Sequence, residues 1–315
     1  MDSKIFSKSK LWELNLEKNF QNFDLENFRQ IGGPNKKLGS WDAIDPSTRY
    51  FKSLLFAFAE HLDHSIRSHP SLLPDDLSDV EGAGISFYLK NINRMNLGNP
   101  VTIEYFGRKL SIDYLLSVEE MFFLHDAIND SNSILEIGAG FGRLAHSVLE
   151  KFEHITEYTI CDLPEMLDVS KAYLSNVLSN ENFLKISFCS NDKFHTINSS
   201  DLCINIDSFQ EMPAPVVLNY LEGISSFARY LYSKNAVCKY NPKVIDLVVT
   251  EKSEYSSALE QGLCNEEFDI YNSDDLLKAR AIYLRKYCPK NFLLIKDQKS
   301  FGQYLFYHSA LFKKD

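Results

Sequence analysis

A short apolar run followed by three alternating glycines constrains the fold of this chain more than any other feature. The stretch Ser133–Ile137 is mostly apolar, and Gly138, Gly140 and Gly142 follow it. Apolar residues four apart over 144–152 then indicate a helix. Glycine lets the backbone turn sharply and approach a ligand closely, and a helix start offers unpaired N–H groups to an anion. The pattern therefore predicts a strand, a turn and a helix arranged as in nucleotide-cofactor sites.

The spacing of the glycines separates the cofactor classes. A dinucleotide fingerprint requires glycine or alanine at the sixth position from Gly138, where Arg143 stands, and a P-loop requires Gly-Lys-Ser/Thr, which is absent here. The pattern Glu136-x-Gly138-x-Gly140-x-Gly142 instead resembles motif I of the class I S-adenosylmethionine (SAM)-dependent methyltransferases. In that family the acid and the glycines surround the methionine end of SAM. A glycine-rich turn with a purely structural role is the alternative.

A second set of predicted cofactor contacts follows the next two strands. Asp162 lies 22 residues after the second glycine, at the expected carboxyl edge of its strand, where an acid can accept hydrogen bonds from both ribose hydroxyls. It can also cap the helix that begins near Pro164. Leu163 is the predicted apolar contact of the adenine. Asn191 and Asp192 are predicted to meet the adenine amino group, although such residues also make ordinary turns.

Residues beside these motifs complete the predicted cofactor set. Phe141 stands between two of the glycines. Arg143 is a candidate to hold the SAM carboxylate or an anionic acceptor. Asp207 and Ser208 follow the fourth predicted strand. In the class I methyltransferases that this chain resembles, the end of this strand borders the methyl-donor sulfur.

The loop after the fourth strand also carries the candidate catalytic groups. A sugar hydroxyl has a pKa far above neutral, so a positioned carboxylate or histidine should accept its proton during attack. Glu211 is the first candidate for the base or the acceptor-orienting residue, and Asp207 is the second. Capping of the helix that opens at Pro213 is the alternative for Glu211.

Histidines are further candidates because their pKa suits proton transfer. His195 is the main one, with His125 and His146 behind it, and each could equally be a surface or packed residue. His61 and His64 stand three apart on a predicted helix, but no third metal ligand is evident nearby. We also expect a reaction that needs no metal, because no convincing paired-aspartate motif of the kind that binds Mg²⁺ follows a predicted strand.

Four motifs together narrow the resemblance. The combination resembles the bacterial sugar O-methyltransferases, which are associated with surface-polysaccharide gene sets. It implies transfer of a methyl group from SAM to a hydroxyl of a sugar or sugar-derived unit. A non-sugar or phosphate-linked acceptor, or a module that has lost its chemistry, are the alternatives. The motifs are 135–144 (LEIGAGFGRL), 161–164 (CDLP), 205–212 (NIDSFQEM) and 232–235 (YSKN).

The same resemblance implies where the acceptor binds. Tyr232, Lys234 and Asn235, at the end of the fifth predicted strand, would face it. Lys234 could pair with a phosphate or carboxylate on the acceptor, or could simply be solvated.

Alternating strand and helix patterns from Ser133 onward predict a parallel sheet covered on both faces. The last two strand patterns, 291–296 and 303–312, are joined by a loop too short for a parallel crossover, so they predict antiparallel pairing. The predicted fold class is α/β, a Rossmann-like class I methyltransferase sheet that is mostly parallel with an antiparallel last strand. The other predicted strands are 133–137, 158–161, 184–188, 202–206 and 229–233, with an unplaced apolar run at 244–250.

The predicted domain organisation has two parts. Residues 1–110 form a mostly helical N-terminal extension, which the resemblance assigns to the acceptor pocket or a lid. Residues 111–315 form the SAM-binding domain, with a helical insertion near 253–288.

Composition limits the partners. A net charge of −10 over 315 residues argues against broad binding to nucleic-acid phosphates. No apolar run is long enough for a membrane span, and six cysteines without C-x-x-C pairing suit a reducing cytoplasm. We therefore expect a cytoplasmic enzyme with a small-molecule or saccharide acceptor. It could form a homo-oligomer.

Overall fold

A seven-stranded sheet organises the part of the chain that the structure describes. In this computed structural model the described residues are 6–19, 23–30, 49–240, 258–301 and 306–315. A separate two-stranded hairpin precedes the sheet. The strands are β1 (Thr102–Tyr105) and β2 (Arg108–Ser111) in the hairpin, then β3 (Ser133–Ile137), β4 (Glu157–Asp162), β5 (Ile186–Ser190), β6 (Ser200–Ile206), β7 (Ala228–Ala236), β8 (Phe292–Lys299) and β9 (Tyr307–Lys314).

The order of the strands across the sheet is β5-β4-β3-β6-β7-β9-β8. The first five in this order run parallel, whereas β9 lies antiparallel between β7 and β8. The predicted Rossmann-like fold class, a mostly parallel sheet with an antiparallel last strand, is confirmed. The apolar run at 244–250 lies outside the described residues.

Helices cover both faces of this sheet. Ile134 packs in one apolar cluster with the helices 112–129, 143–151 and 164–177, and its neighbour Leu135 packs in another with the helices 214–227 and 273–286. This is because successive side chains of a strand point to opposite faces. No helix in the described ranges combines the length and apolar character needed to cross a bilayer. The helices are α1 (Lys10–Asn19), α2 (Arg49–Arg67), α3 (Asp75–Ser78), α4 (Ala83–Leu89), α5 (Ile112–Asn129), α6 (Arg143–Lys151), α7 (Pro164–Val177), α8 (Asn180–Leu184), α9 (Ala214–Phe227) and α10 (Ser273–Lys286).

Local sequence explains where the two helices nearest the site begin. Gly142 precedes α6 with a φ of +92°, a left-handed conformation that glycine adopts without strain. Pro164 occupies the first position of α7, where its fixed φ suits a helix and its missing N–H costs nothing. Both helices therefore start directly after the carboxyl ends of β3 and β4.

The described N-terminal residues share the apolar core of the sheet. The Phe28 ring lies 5.3 Å from the Phe141 ring and 5.8 Å from the Tyr173 ring. Arg29 is buried beside it, and its Nη2 donates to Asp113 Oδ2 at 2.5 Å. The core is thus continuous across residue 110, and the division into 1–110 and 111–315 stays a prediction. Within the predicted insertion, α10 is helical, and residues 258–272 contain only a short helical end before turns and extended chain.

Candidate active site

The glycine turn after β3 forms one wall of a cleft. Gly138 and Gly140 have φ angles of +75° and +60°, which side chains rarely tolerate. The Gly138 N–H donates to the Cys161 carbonyl oxygen at 2.9 Å, which ties the turn to the end of β4. A Cβ on Gly140 would have no atom within 4 Å. The backbone therefore leaves room for a ligand to approach closely.

Asp162, the last residue of β4, is fixed beside the same turn. Its Oδ2 accepts a hydrogen bond from the Gly140 N–H at 3.1 Å, and its Oδ1 accepts one from the Leu163 N–H at 2.8 Å. Burial raises the pKa of this carboxyl to about 7, because the charged form loses hydration. The structure thus brings the predicted acid and the predicted glycines together. A ligand with two neighbouring hydroxyl donors would meet a carboxylate that is already oriented.

These groups border a cleft with an accessible volume of about 80 Å³. Of the predicted cofactor contacts, six line this cleft: Gly138, Gly140, Asp162, Leu163, Asn191 and Ser208. The rest of the lining is Phe6, Ser7, Lys8, Ser9, Trp12, Cys161, Met166, Met212, Val216 and Tyr220.

The N-terminal segment 6–12 forms the opposite wall of the cleft. The Phe6 carbonyl oxygen accepts a hydrogen bond from Asn191 Nδ2 at 2.6 Å, and the Phe6 ring lies 4.8 Å from the Tyr220 ring. Trp12 Nε1 donates to Glu211 Oε2 at 2.9 Å. The resemblance assigned the N-terminal extension to the acceptor pocket or a lid, but no local pattern singled out segment 6–12, because Asn191 and Glu211 lie 185 and 199 residues from their partners in it.

Phe141 and Gly142 contribute to the turn without lining the cleft. The Phe141 side chain is buried and lies against the Tyr173 ring at 4.9 Å. A Cβ on Gly142 would come within 2.7 Å of Leu174. Both predicted contacts therefore serve the packing of the turn onto α7 in this structure.

Asp192 and His195 lie at the surface. Both belong to the 3-10 helix Asn191–Thr196 and are exposed. His195 Nδ1 lies 3.0 Å from the Asp192 carbonyl oxygen. Neither lines the cleft, which differs from the expectation that they contact cofactor or acceptor.

Glu136 is buried behind the glycine turn. The Tyr158 hydroxyl donates a hydrogen bond to Glu136 Oε2 at 2.7 Å. Burial raises the pKa of Glu136 to about 7, although the Tyr158 hydrogen bond opposes the shift. The predicted motif I acid therefore supports the turn from beneath.

Glu136 gives a testable pH dependence of stability. Its carboxyl has a pKa of about 7 in the folded protein and an ordinary pKa of 4.5, so the folded state holds its proton more tightly. Its stabilising contribution is complete below the unfolded pKa and is lost as pH rises through 7, in total about 3 kcal/mol. We expect Glu136→Gln to remove that part of the fall in the free energy of unfolding between pH 5 and pH 8.

Urea denaturation of the ligand-free protein measures this fall. Glu157→Gln, on the exposed start of β4, is the matched control and should keep the wild-type slope. An unchanged slope in Glu136→Gln would contradict the assignment.

Arg143 and Lys234 belong to a buried charge cluster, which we define as Glu119, Glu120, Arg143 and Lys234. Arg143 donates to both carboxylate oxygens of Glu120, at 2.6 and 2.9 Å. Lys234 Nζ lies 2.7 Å from Glu119 Oε2 and 3.0 Å from Glu120 Oε1. Burial by itself would lower the pKa of Lys234, but the two glutamates raise it. Arg143 was predicted to hold the SAM carboxylate or an anionic acceptor, and Lys234 to pair with an anionic acceptor. The structure instead places both in this cluster.

Tyr232 and Asn235 are also buried on β7. The Tyr232 hydroxyl lies 3.0 Å from Ser309 Oγ on β9, and Asn235 Nδ2 donates to Asn205 Oδ1 at 2.9 Å. Their side chains join neighbouring strands, and neither lines the cleft. The three predicted acceptor contacts on β7 therefore lie in the protein interior.

The loop after β6 brings the two candidate carboxylates to the carboxyl edge of the sheet. Ser208 Oγ donates to the Ile137 carbonyl oxygen at 3.1 Å, beside the glycine turn. Tyr307 on β9 donates to Asp207 Oδ1 at 2.5 Å. Sequence reasoning missed Tyr307, because only the pairing of β9 with β7 brings it there. Glu211 is half-buried and accepts a hydrogen bond from Trp12, which lines the cleft.

The other histidines named from the sequence do not line the cleft. His146 is buried with Nδ1 2.5 Å from the Tyr114 hydroxyl, and burial lowers its pKa to about 3. His125 Nδ1 lies 3.1 Å from the Tyr88 hydroxyl. His61 and His64 are exposed on α2. Within the described ranges, no three His, Cys, Asp or Glu side chains are grouped as metal ligands.

Comparison with known proteins finds similarity only at the level of solved structures. No family model matches the chain, and no curated protein matches it. The methyltransferase domain of a bacterial CtHen1 protein is 11% identical, over 63% of this chain and 96% of its own, with a TM-score of 0.43. The mitomycin 7-O-methyltransferase MmcR is 13% identical, over 89% and 75%, with a TM-score of 0.42.

A third solved structure is the magnesium protoporphyrin IX methyltransferase ChlM from Synechocystis PCC 6803 with bound SAH. It is 13% identical, over 64% of this chain and 86% of its own, with a TM-score of 0.42. At these identities the likeness concerns the fold alone.

Proposed function

We propose that this protein is a SAM-dependent O-methyltransferase that methylates a hydroxyl of a sugar or sugar-derived unit. The observation that carries the proposal is the junction of the glycine turn with Asp162. The turn leaves its backbone open at Gly140, and a carboxylate held by two backbone N–H groups stands beside it. A compact ligand with a ribose and a zwitterionic tail fits both features.

The chain has groups suited to each part of SAM. Asp162 would accept hydrogen bonds from the ribose hydroxyls, and the backbone at Gly138 and Gly140 would lie against the amino-acid portion. Leu163 and Met166 supply apolar surface for the adenine, with Asn191 at its edge. When bound, SAM supplies a methyl group that is already activated for transfer. The protein positions the reactants and excludes water.

The acceptor class rests on the resemblance of the loop 205–212 and its neighbours to the sugar O-methyltransferases. Methylation of an alcohol needs a proton acceptor, and this loop carries Asp207 and Glu211, each next in sequence to a residue that lines the cleft, Ser208 and Met212. Six free cysteines suit the cytoplasmic location that we propose. A role in surface-polysaccharide biosynthesis is part of the proposal.

Calorimetry with S-adenosylhomocysteine (SAH) tests the cofactor. We expect SAH to bind the wild type, and Asp162→Ala to weaken binding by about 10- to 100-fold, because a charge-assisted hydrogen-bonding partner is lost. Asp168→Ala, exposed on α7 near the cleft, is the matched control and should bind like the wild type. Absence of heat with the wild type would favour a module without methyltransferase chemistry.

Incubation with tritiated SAM tests the acceptor. We expect label to enter at least one member of a panel of nucleotide sugars and methyl glycosides, with mass spectrometry locating one added methyl group. Transfer only to polyphenols, or to phosphate-linked groups, would replace the sugar by a different acceptor while keeping the cofactor.

A further inference from the structure

Asp207 stands in an unusual backbone conformation directly after β6. Its φ is +65°, in the left-handed region that residues with a side chain rarely occupy. Its N–H donates to the Lys234 carbonyl oxygen at 2.8 Å, which fixes the bend. Strained residues of this kind persist where their surroundings over-determine them, and they are concentrated at functional sites. The bend sets the direction of the Asp207 side chain.

One oxygen of the Asp207 carboxylate is held by two donors. Oδ1 accepts from the Tyr307 hydroxyl at 2.5 Å and from Gln210 Nε2. The Gln210 amide is itself fixed, because its Oε1 accepts from the Ala236 N–H at 2.7 Å. Among the described residues, no group donates to Asp207 Oδ2, so this oxygen keeps its capacity to accept a proton.

The charges around Asp207 come from several elements. Burial raises the pKa of its carboxyl, whereas the Tyr307 hydrogen bond and the charges of Lys234 and Arg143 lower it. Lys239, after β7, is a further cation facing it. The net direction of the pKa is upward from its ordinary value, and the two hydrogen bonds to Oδ1 hold the carboxylate in one orientation.

Glu211 stands in a different setting. Its Oε2 accepts from Trp12 Nε1 at 2.9 Å, and it is half-buried beside the N-terminal wall of the cleft. This contact suits a residue that holds segment 6–12 in place.

We propose that Tyr307 is a positioning residue that orients the Asp207 carboxylate, and that Asp207 Oδ2, and not Glu211, takes the proton of the acceptor hydroxyl. This inference rests on the proposed function. As the hydroxyl oxygen bonds to the methyl carbon, the carbon–sulfur bond breaks and its electron pair stays on sulfur. The hydroxyl proton moves to Oδ2 and is later released to water. The products are a methyl ether and SAH.

An NMR titration of protein labelled with ¹³C at aspartate carboxyl groups tests the positioning without an acceptor. Asp207→Asn assigns the signal. We expect Tyr307→Phe to move the Asp207 titration midpoint to higher pH by about one pH unit, because the ionised form loses a hydrogen bond. The control is Tyr283→Phe, whose buried hydroxyl donates to the Ser233 carbonyl oxygen at 2.8 Å. It should leave the midpoint unchanged.

Turnover with tritiated SAM and the nucleotide-sugar panel tests the proton acceptor. We expect Asp207→Asn to lower turnover by about 100-fold or more, with SAH affinity within about threefold of the wild type. Glu211→Gln should lose less than about tenfold. Equal or greater loss in Glu211→Gln, or an Asp207 midpoint that Tyr307→Phe does not move, would overturn the inference.

The two proposals fail in distinguishable ways. A wild type that releases no heat with SAH would refute the proposed function, whatever the titration shows. A wild type that binds SAH but has an unmoved Asp207 midpoint in Tyr307→Phe would refute only the inference. The titration decides the positioning even if no sugar in the panel accepts a methyl group.

Discussion

Replacing Lys234 by methionine is expected to lower the free energy of unfolding by about 3–5 kcal/mol. Lys234 is fully buried, and its ammonium group neutralises Glu119 and Glu120, which are buried as well. Methionine has a similar shape but no charge. The substitution would leave two buried carboxylates with Arg143 as the single cation of the cluster. Loss of one partner from a buried ion pair costs more than the pair itself contributes, because the remaining charge stays desolvated.

Urea denaturation at pH 7 measures the effect, with Lys278→Met as the matched control. Lys278 pairs with Asp275 at 3.0 Å on α10, but its side chain is 66% exposed. Water and salt screen such a pair, so its loss should cost at most about 1 kcal/mol. Similar stability losses in the two variants would show that the buried cluster is not held by its charges.

The double variant Lys234→Met with Glu119→Gln separates charge balance from packing. It restores neutrality beside Arg143 and Glu120, so we expect it to recover part of the lost stability. If the double variant recovers none of the lost free energy of unfolding, the loss comes from packing around the Lys234 side chain instead.

The charge cluster also shows where sequence reasoning reached its limit. Arg143 was predicted to hold an anion from its place in the first turn of α6, and the family resemblance implied that Lys234 faces the acceptor. Their partners lie on α5, as neighbouring acids in an otherwise apolar helix. Glu119 and Glu120 amid those apolar residues were a signal for buried cations. Because Arg143 and Lys234 are distant from these two glutamates along the chain, the sequence did not show which cations pair with them.

The glycine turn and Asp162 were predictable for the opposite reason. A strand, a turn and a helix start are encoded within about ten consecutive residues, and the next strand follows at a spacing that topology restricts. The N-terminal wall of the cleft has no such local code. In the sequence, Phe6 and Trp12 do not stand out from other aromatic residues. Only the folded chain places them opposite the turn.

Replacing Gly138 by alanine is expected to weaken SAH binding by about 100-fold, a loss comparable to that from misplacing a site by about 1 Å. A Cβ at this position would lie 2.1 Å from Ser208 Oγ and 2.4 Å from Ser208 Cβ. Ser208 cannot move freely, because its hydroxyl donates to the Ile137 carbonyl oxygen and accepts from Asn205 Nδ2 at 2.5 Å. The turn or Ser208 must therefore shift, and both line the cleft.

Gly107→Ala provides the matched control, because it separates backbone strain from the steric clash. Gly107 has a φ of +76°, almost the same as Gly138, but a Cβ there would meet no atom within 4 Å. Both variants should lose about 1–2 kcal/mol of stability from the left-handed conformation. Gly138→Ala should lose more than this because of the clash with Ser208, and only Gly138→Ala should lose SAH affinity. Calorimetry with SAH and urea denaturation give the two quantities separately. Wild-type SAH affinity in a folded Gly138→Ala protein would mean that the turn after β3 does not hold the cofactor, because no ligand against that backbone could accommodate the displaced atoms.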